Sequence, residues 1–182
     1  MGLIYSLLTL QAAAIDGDDP RAILNDAAGR VRSMMPLYDR LYRGEQFSDL
    51  NAKSFLVPLI AEIIQLFPAT PAIRVEEKIK DIILSAQTIS TLGIIINELI
   101  TNSMKYAFSG RKSGLIGVEA TRTGSQVCIT YSDDGVGLRE SIDLEDSCGF
   151  GMQLINLPVQ QLGGSIRIDR SNGTRFQIDF PA

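Results

Sequence analysis

The sequence predicts an α+β protein: a helical hairpin, then a sandwich of one mixed, mostly antiparallel sheet with helices on one face. Three observations predict it. Residues 3–41 carry two apolar stripes at helical spacing, separated by a short Asp/Gly/Pro turn. Residues 114–180 break into strand-length runs punctuated by Gly124-Ser125 and Ser171-Asn172-Gly173. Between them, residues 92–108 (LGIIINELITNSMKYAF) form a long apolar helix interrupted by Glu98, Asn102 and Lys105. The expected division is 1–46 for the hairpin and 47–182 for the sandwich.

In chain order, Leu3, Leu7, Leu10 and Ala14 make the first stripe, and Asp16-Gly17-Asp18-Asp19-Pro20 stops it. Asp18 or Asp19 can cap a second helix over about 20–42, with Pro20 in its first turn and Pro36 as an interior irregularity. Such a hairpin buries too little alone, and pairing into a dimeric four-helix bundle is the natural remedy. The first helix enters its apolar pattern at residue 1, as expected of a piece of a longer chain. Asn51 can cap a helix over about 52–67, which contains Pro58 and ends at Pro68 and Pro71. Residues 72–76 alternate as a strand, 82–84 form a short strand candidate, and Ser85 to Thr88 lead into the long helix. Strands follow over 114–122, 125–133 and 164–170, the first two joined as a hairpin around Gly124-Ser125. A helix is expected over 149–162, ended by Gly163-Gly164, and a last strand over Thr174–Phe180.

Composition narrows the function classes. The chain has 182 residues, 45% hydrophobic and 21% charged, enough for one good core or two small ones. A net charge of -4 without a basic tract argues against a nucleic-acid role. It leaves small anions open, because backbone amides can hold phosphate. Cys128 and Cys148 make no disulfide framework, and the reducing cytosol is the expected setting. No apolar run reaches membrane-spanning length, and the first residues lack the basic start of a signal peptide. The chain has no histidine, so histidine catalysis, ligation and phosphorylation are excluded within it.

Three stretches carry candidate chemistry. At about 100° per residue, Glu98, Asn102 and Lys105 share one face of the long helix, with Leu92, Ile95, Ile96, Leu99, Ile100, Ser103 and Ala107 on the opposite arc. Asn102 offers a neutral oxygen to Mg²⁺. Glu98 can orient or deprotonate a water or nucleophile, and Lys105 can meet a phosphate or simply face solvent. Tyr106 can pack beside a nucleotide or serve as a core tyrosine. Asp133-Asp134-Gly135-Val136-Gly137 follows a strand: Asp133 can accept from an exocyclic amine, and the glycines let the chain pass a flat ring. An ordinary Asp-Gly turn is the alternative. Gly149-Phe150-Gly151 at a helix start exposes amides suited to phosphate, or eases the helix entry; it is neither a Walker loop nor a Rossmann fingerprint. Gly173-Thr174 can offer a hydroxyl to phosphate, or Gly173 can simply serve the turn.

Taken in order, NELITNSMKYAF, DDGVG, GFGMQL and GG…NGTRF resemble the nucleotide-binding domain of sensor histidine kinases, whose wider superfamily includes gyrase, Hsp90 and MutL ATPases. The first half, SLLTLQA…RVRSMMPLYDRLYRGE, is similar to the dimerisation and phosphotransfer helices of the HisKA_2 class. The resemblance implies a Bergerat-type sandwich over 47–182 that binds ATP and Mg²⁺. It implies that Asn102 coordinates magnesium, that Glu98 is the acidic residue one turn earlier, and that Lys105 and Tyr106 fill the lysine and aromatic positions that follow. It makes Asp133 the adenine reader, Gly135 and Gly137 its glycine box, and Gly149 and Gly151, with Met152 beside them, a second glycine box. Residues 138–148 match an ATP lid. The implied partners are a second copy through the hairpin, an upstream sensor domain and a response-regulator receiver domain.

The family's phosphoacceptor segment reads roughly HRVKNN and then runs into a stretch like MGLIYSLLTLQ, so Met1 falls just after the expected histidine. Two explanations compete: a chain that begins late, or a natural histidine-less ATP-binding regulator, such as an anti-sigma-like serine kinase or a phosphotransfer or docking scaffold. A purely structural α+β domain would leave the ordered motifs coincidental.

Overall fold

The computed structural model describes residues 34–35, 49–67, 71–138 and 150–182. The hairpin expected over 3–42 lies outside these, apart from helical Met34 and Met35; so does the expected lid, apart from Leu138.

Strand β1 (Leu50–Asn51) leads directly into helix α1 (Ala52–Gln65). Asn51 caps it as expected, its side chain accepting from the Ser54 N–H at 3.1 Å. The helix runs through Pro58; the carbonyl that this proline cannot engage belongs to exposed Ser54. Strand β2 (Ala72–Ile79) is three residues longer than its alternation suggests, because pairing with a neighbouring strand continues through Ile79 and Ala120. Strand β3 (Ile83–Leu84) stays out of the main sheet and pairs antiparallel with β1.

Helix α2 (Ala86–Asn102) begins well before its dense apolar stripe, since Ser85 caps it by accepting from the Thr88 N–H at 3.1 Å. It does not continue to residue 108 as a regular helix. Ser103–Ala107 form a π-turn, one residue wider than an α-turn.

Strands β4 (Ser113–Thr123) and β5 (Gln126–Asp133) form the expected hairpin, with Thr123 opposite Gln126 and Gly124 at φ 60°. Helix α3 (Phe150–Gln161) contains Pro158 and ends where Gly163 adopts φ 67°. Strands β6 (Ser165–Asp169) and β7 (Thr174–Pro181) complete a five-stranded sheet in the order β2-β4-β5-β7-β6. Only β2 and β4 run parallel, because α2 provides the crossover between them; the other three pairings are antiparallel.

One apolar core joins the helices to the sheet. Leu56, Leu59 and Ile60 of α1, Leu92, Ile95 and Ile96 of α2, and Ile155 and Val159 of α3 are buried with Ile116, Val118, Ile129 and Ile178 of the strands. Helix α2 packs against both α1 and α3. The stripe predicted for α2 is thus its buried face, and burial extends further, to Asn97, Glu98 and Thr101.

Ile96→Ala should lower unfolding stability by about 2–5 kcal/mol through the cavity it leaves, whereas Ile83→Ala, at a position 53% exposed, should cost less than about 1 kcal/mol. Urea titration of both variants checks the contrast.

Candidate functional site

The site is built on the end of β5. Along that strand Val127, Ile129, Tyr131 and Asp133 are buried at every second position, and Thr130 between them is buried as well. The row ends in a carboxylate that is only 6% exposed, and a buried carboxylate requires donors. Two are present. Ser103 donates its hydroxyl to Asp133 Oδ2 at 2.6 Å, and the Gly135 N–H donates to Oδ1 at 3.0 Å. Tyr131 in turn donates to Ser103 Oγ at 2.8 Å. Burial pushes the Tyr131 hydroxyl far above its ordinary range; the Ser103 hydrogen bond opposes that rise and the nearby Asp133 charge adds to it.

Beyond Asp133 the chain runs flush against the π-turn. Val136 donates its N–H to the Ala107 carbonyl at 3.0 Å. A Cβ on Gly135 would overlap Ala107, so glycine here is a condition of the contact. Gly137 adopts φ 80°, and a Cβ there would stand 3.2 Å from the Gly173 carbonyl oxygen. Gly173, at φ 77°, lies so close under β5 that a Cβ would overlap the Asp133 carbonyl. Its neighbour Thr174 is the register partner of Asp133 and is equally buried.

Asp134 fastens the same loop from the opposite side. Its carboxylate accepts from the Leu115 N–H at 2.7 Å and from Arg111 Nη2 at 2.8 Å, while Arg111 Nη1 reaches its carbonyl. Burial works against ionisation of Asp134, but the Leu115 N–H and the Arg111 guanidinium outweigh it and hold the carboxyl below its ordinary value.

The sequence-derived residues fall into three groups. Asp133, Gly135, Gly137 and Thr174 come together with the π-turn that carries Lys105 and Tyr106. Asn102, the last residue of α2, and Lys105 are half-buried. The expected row of Glu98, Asn102 and Lys105 is revised: Glu98 is 0% exposed, and the π-turn interrupts the regular helical phase between Asn102 and Lys105. Tyr106 is 59% exposed, which removes the core-tyrosine alternative. Gly151 is half-buried in the first turn of α3, Met152 joins the apolar core, and Gly149 lies outside the described residues.

Sequence reasoning gave no role to Ser103, Tyr131, Arg111 or Asp134. For Tyr131 a signal existed: a tyrosine and an aspartate two apart on an alternating strand share its inner face. Nothing local marks Ser103, which lies on the apolar arc of the helix and finds its partners 30 and 28 positions away.

The arrangement suits a nucleotide. A carboxylate on a fixed frame can accept from an amine. Among the described residues no group of three or more His, Cys, Asp and Glu could hold a metal. A lone amide oxygen such as that of Asn102 fits a hard ion that keeps waters and bridges phosphates.

Comparison with known proteins defines the class. Residues 87–182 match the family of histidine kinase-, DNA gyrase B- and HSP90-like ATPases, and the chain belongs to that family. Residues 1–67 match the HisKA_2 histidine kinase family, so the two matches in sequence make a sensor histidine kinase module. The chain is 25% identical over its full length to blue-light-activated histidine kinase 2 of Erythrobacter litoralis, covering 53% of that protein. It is 26% identical to the sensor histidine kinase PdtaS of Mycobacterium tuberculosis over 98% of this chain and 36% of the relative. It therefore spans about half, or less, of the length of these curated relatives. Among solved structures, the histidine kinase domain of an Erythrobacter litoralis blue-light-activated kinase superposes with a TM-score of 0.76 at 22% identity, covering 99% of this chain and 82% of that one. Acinetobacter baumannii histidine kinase AdeS gives a TM-score of 0.62 at 13% identity, covering 99% and 93%. For the described residues these likenesses show the expected fold, a Bergerat-type sandwich with a mixed, mostly antiparallel sheet.

Two outcomes are expected at this loop. Gly173→Ala should destabilise the protein by about 1–3 kcal/mol or more, since it combines a left-handed φ with a backbone overlap, and should shift the thermal unfolding midpoint accordingly. Asp134→Asn should lower the midpoint at pH 7. Because the folded carboxyl titrates below its ordinary value near 3.8, that stabilisation is complete above this value and fades as pH falls through the depressed one. The gap between variant and parent should therefore close below about pH 4.

Proposed function

We propose that this chain is the ATP-binding catalytic portion of a two-component sensor histidine kinase. In this reading the γ-phosphoryl group of ATP passes to a histidine that this chain does not contain, and from there to an aspartate on a response-regulator receiver domain. The observation that carries the reading is the Asp133 carboxylate, fixed by Ser103 and Gly135 where β5, the π-turn and the Gly173 turn meet. Family membership supports it.

Each residue then has a task. Asp133 accepts from the exocyclic amine of adenine, and Gly135 and Gly137 let the loop turn sharply and lie close beside the ring. Asn102 lends its amide oxygen to magnesium, and Lys105 neutralises phosphate. Gly149 and Gly151 present backbone amides to the phosphates, Thr174 adds a hydroxyl, and Tyr106 lies beside the nucleotide. Met152 anchors the start of α3 in the core. Glu98 orients the reacting groups from within the protein. Magnesium, when bound, neutralises charge on the transferring phosphoryl, and the chain supplies position and electrostatics. Residues 1–46 pair two copies and dock the receiver domain, and residues 47–182 bind nucleotide.

The second reading is a histidine-less ATP-binding regulator of the same superfamily, since the given chain holds no histidine. Radiolabelled ATP separates the two. The kinase reading expects label on a histidine-containing hairpin supplied in trans, and the regulator reading expects none there.

For the site itself, calorimetry with ATP and Mg²⁺ should show binding by the parent chain and at least about a tenfold loss in Asp133→Asn, as expected when a charged hydrogen-bond partner is removed. Asn102→Ala should weaken binding in Mg²⁺ more than in EDTA. Equal ATP affinity of Asp133→Asn and the parent would sink the assignment of Asp133.

A further inference from the structure

We propose that Ser103 and Tyr131 are positioning residues for base selection: the relay from Tyr131 through Ser103 to Asp133 holds the carboxylate as a fixed acceptor for the adenine amine. The proposal rests on the reading of Asp133 as the adenine reader and adds to it two residues that contribute no nucleotide contact in that reading.

The direction of the relay follows from its chemistry. A carboxylate has no proton to give, so Ser103 must spend its single hydroxyl proton on Asp133 Oδ2, at 2.6 Å. The serine oxygen is then free only to accept, and it accepts from Tyr131 at 2.8 Å. Burial keeps the tyrosine protonated throughout the physiological range, so its donor does not switch off. The Gly135 N–H occupies one acceptor position on Oδ1. Both carboxylate oxygens are thereby fixed by donors, and each retains acceptor capacity. A donor presented by the base meets a prepared acceptor. A carbonyl presented at the same position, as in guanine, meets only acceptors.

Burial gives the relay its leverage. Tyr131, Ser103 and Asp133 are 1%, 4% and 6% exposed, so solvent offers little replacement for a lost hydroxyl. Placement matters as well. Ser103 opens the π-turn, and the far end of that turn, at Ala107, receives the Val136 N–H and packs against Gly135. The widened turn therefore contacts the DDGVG segment twice, once through a side chain and once through the backbone. A single π-turn is a common device at functional sites, and this one follows directly on α2, whose helical phase Ser103 still keeps as its hydroxyl meets the end of a strand.

The test uses the complete 182-residue chain and three nucleotides with Mg²⁺: ATP, GTP and purine riboside triphosphate, which lacks the 6-amino group. Affinities are measured by calorimetry for the parent, Ser103→Ala, Tyr131→Phe and Asp133→Asn. Ser103→Ala should weaken ATP about 5- to 10-fold while changing the purine analogue less than about twofold, so that the ATP preference shrinks. Tyr131→Phe, which removes one oxygen and keeps the ring, should move the preference the same way by about two- to threefold. A purely structural role for the two hydroxyls would weaken all three nucleotides in parallel, and that outcome overturns the proposal. So does an unchanged preference in both variants while Asp133→Asn abolishes it, a result that leaves the adenine reading standing. If Asp133→Asn itself keeps the parental preference, the adenine reading fails and the relay falls with it.

Discussion

The feature on which the rest of this structure depends is the buried carboxylate at the end of β5. Asp133 stands where an alternating strand would otherwise place another apolar side chain, and it is as covered as the residues before it. A charged group in such a place is tolerated only with donors in fixed positions. Meeting that requirement joins a remote segment to a local one: the π-turn supplies a hydroxyl and the glycine loop just after the strand an amide, while the Gly173 turn packs a backbone surface close enough to exclude a side chain. The backbone around the site is thus shaped by the needs of one side chain.

The surrounding elements are arranged to keep this point still. Helix α2 is covered along its length by α1, α3 and the sheet, and even Asn97, Glu98 and Thr101 are buried. Helix α2 therefore delivers Asn102 and the π-turn from a rigid base. Arg111 and Leu115 hold Asp134 from the far side, so that the DDGVG segment is tied to β4 as well as to the π-turn. The loop is pinned immediately after the strand, and its glycines let the π-turn and the Gly173 turn close against it. Rigid support of a polar group is what recognition of a flat, polar-edged ligand demands.

Much of the fold was legible because its signals are local. The Asn51 cap, the Gly124-Ser125 hairpin turn and the Gly163 terminator each act within a few residues, and each stands where expected. The start of α2 was placed too late because a polar first turn capped by Ser85 has no apolar stripe to announce it. The extent of β2 was underestimated because its last residues are held by pairing with β4, which periodicity cannot reveal. The parallel pairing of β2 and β4 likewise follows from the crossover through α2 and leaves no mark on either strand.

For the site, sequence by itself determined the residue types and their order: an amide and a lysine at the end of a helix, an aspartate closing a strand, and glycines where the backbone must approach closely. These choices are local, set by the conformational freedom of glycine and the donor chemistry of side chains, and they sufficed to suggest the family. Tertiary structure alone decided which of them meet. It buried Glu98, exposed Tyr106, placed Met152 in the core, and set Ser103, at the end of the regular helix, where its hydroxyl reaches an aspartate 30 residues away. The physical reason is that burial and hydrogen-bond satisfaction belong to the packed whole. A hydroxyl on an apolar helix face becomes a partner for a carboxylate only when helix and strand are brought together.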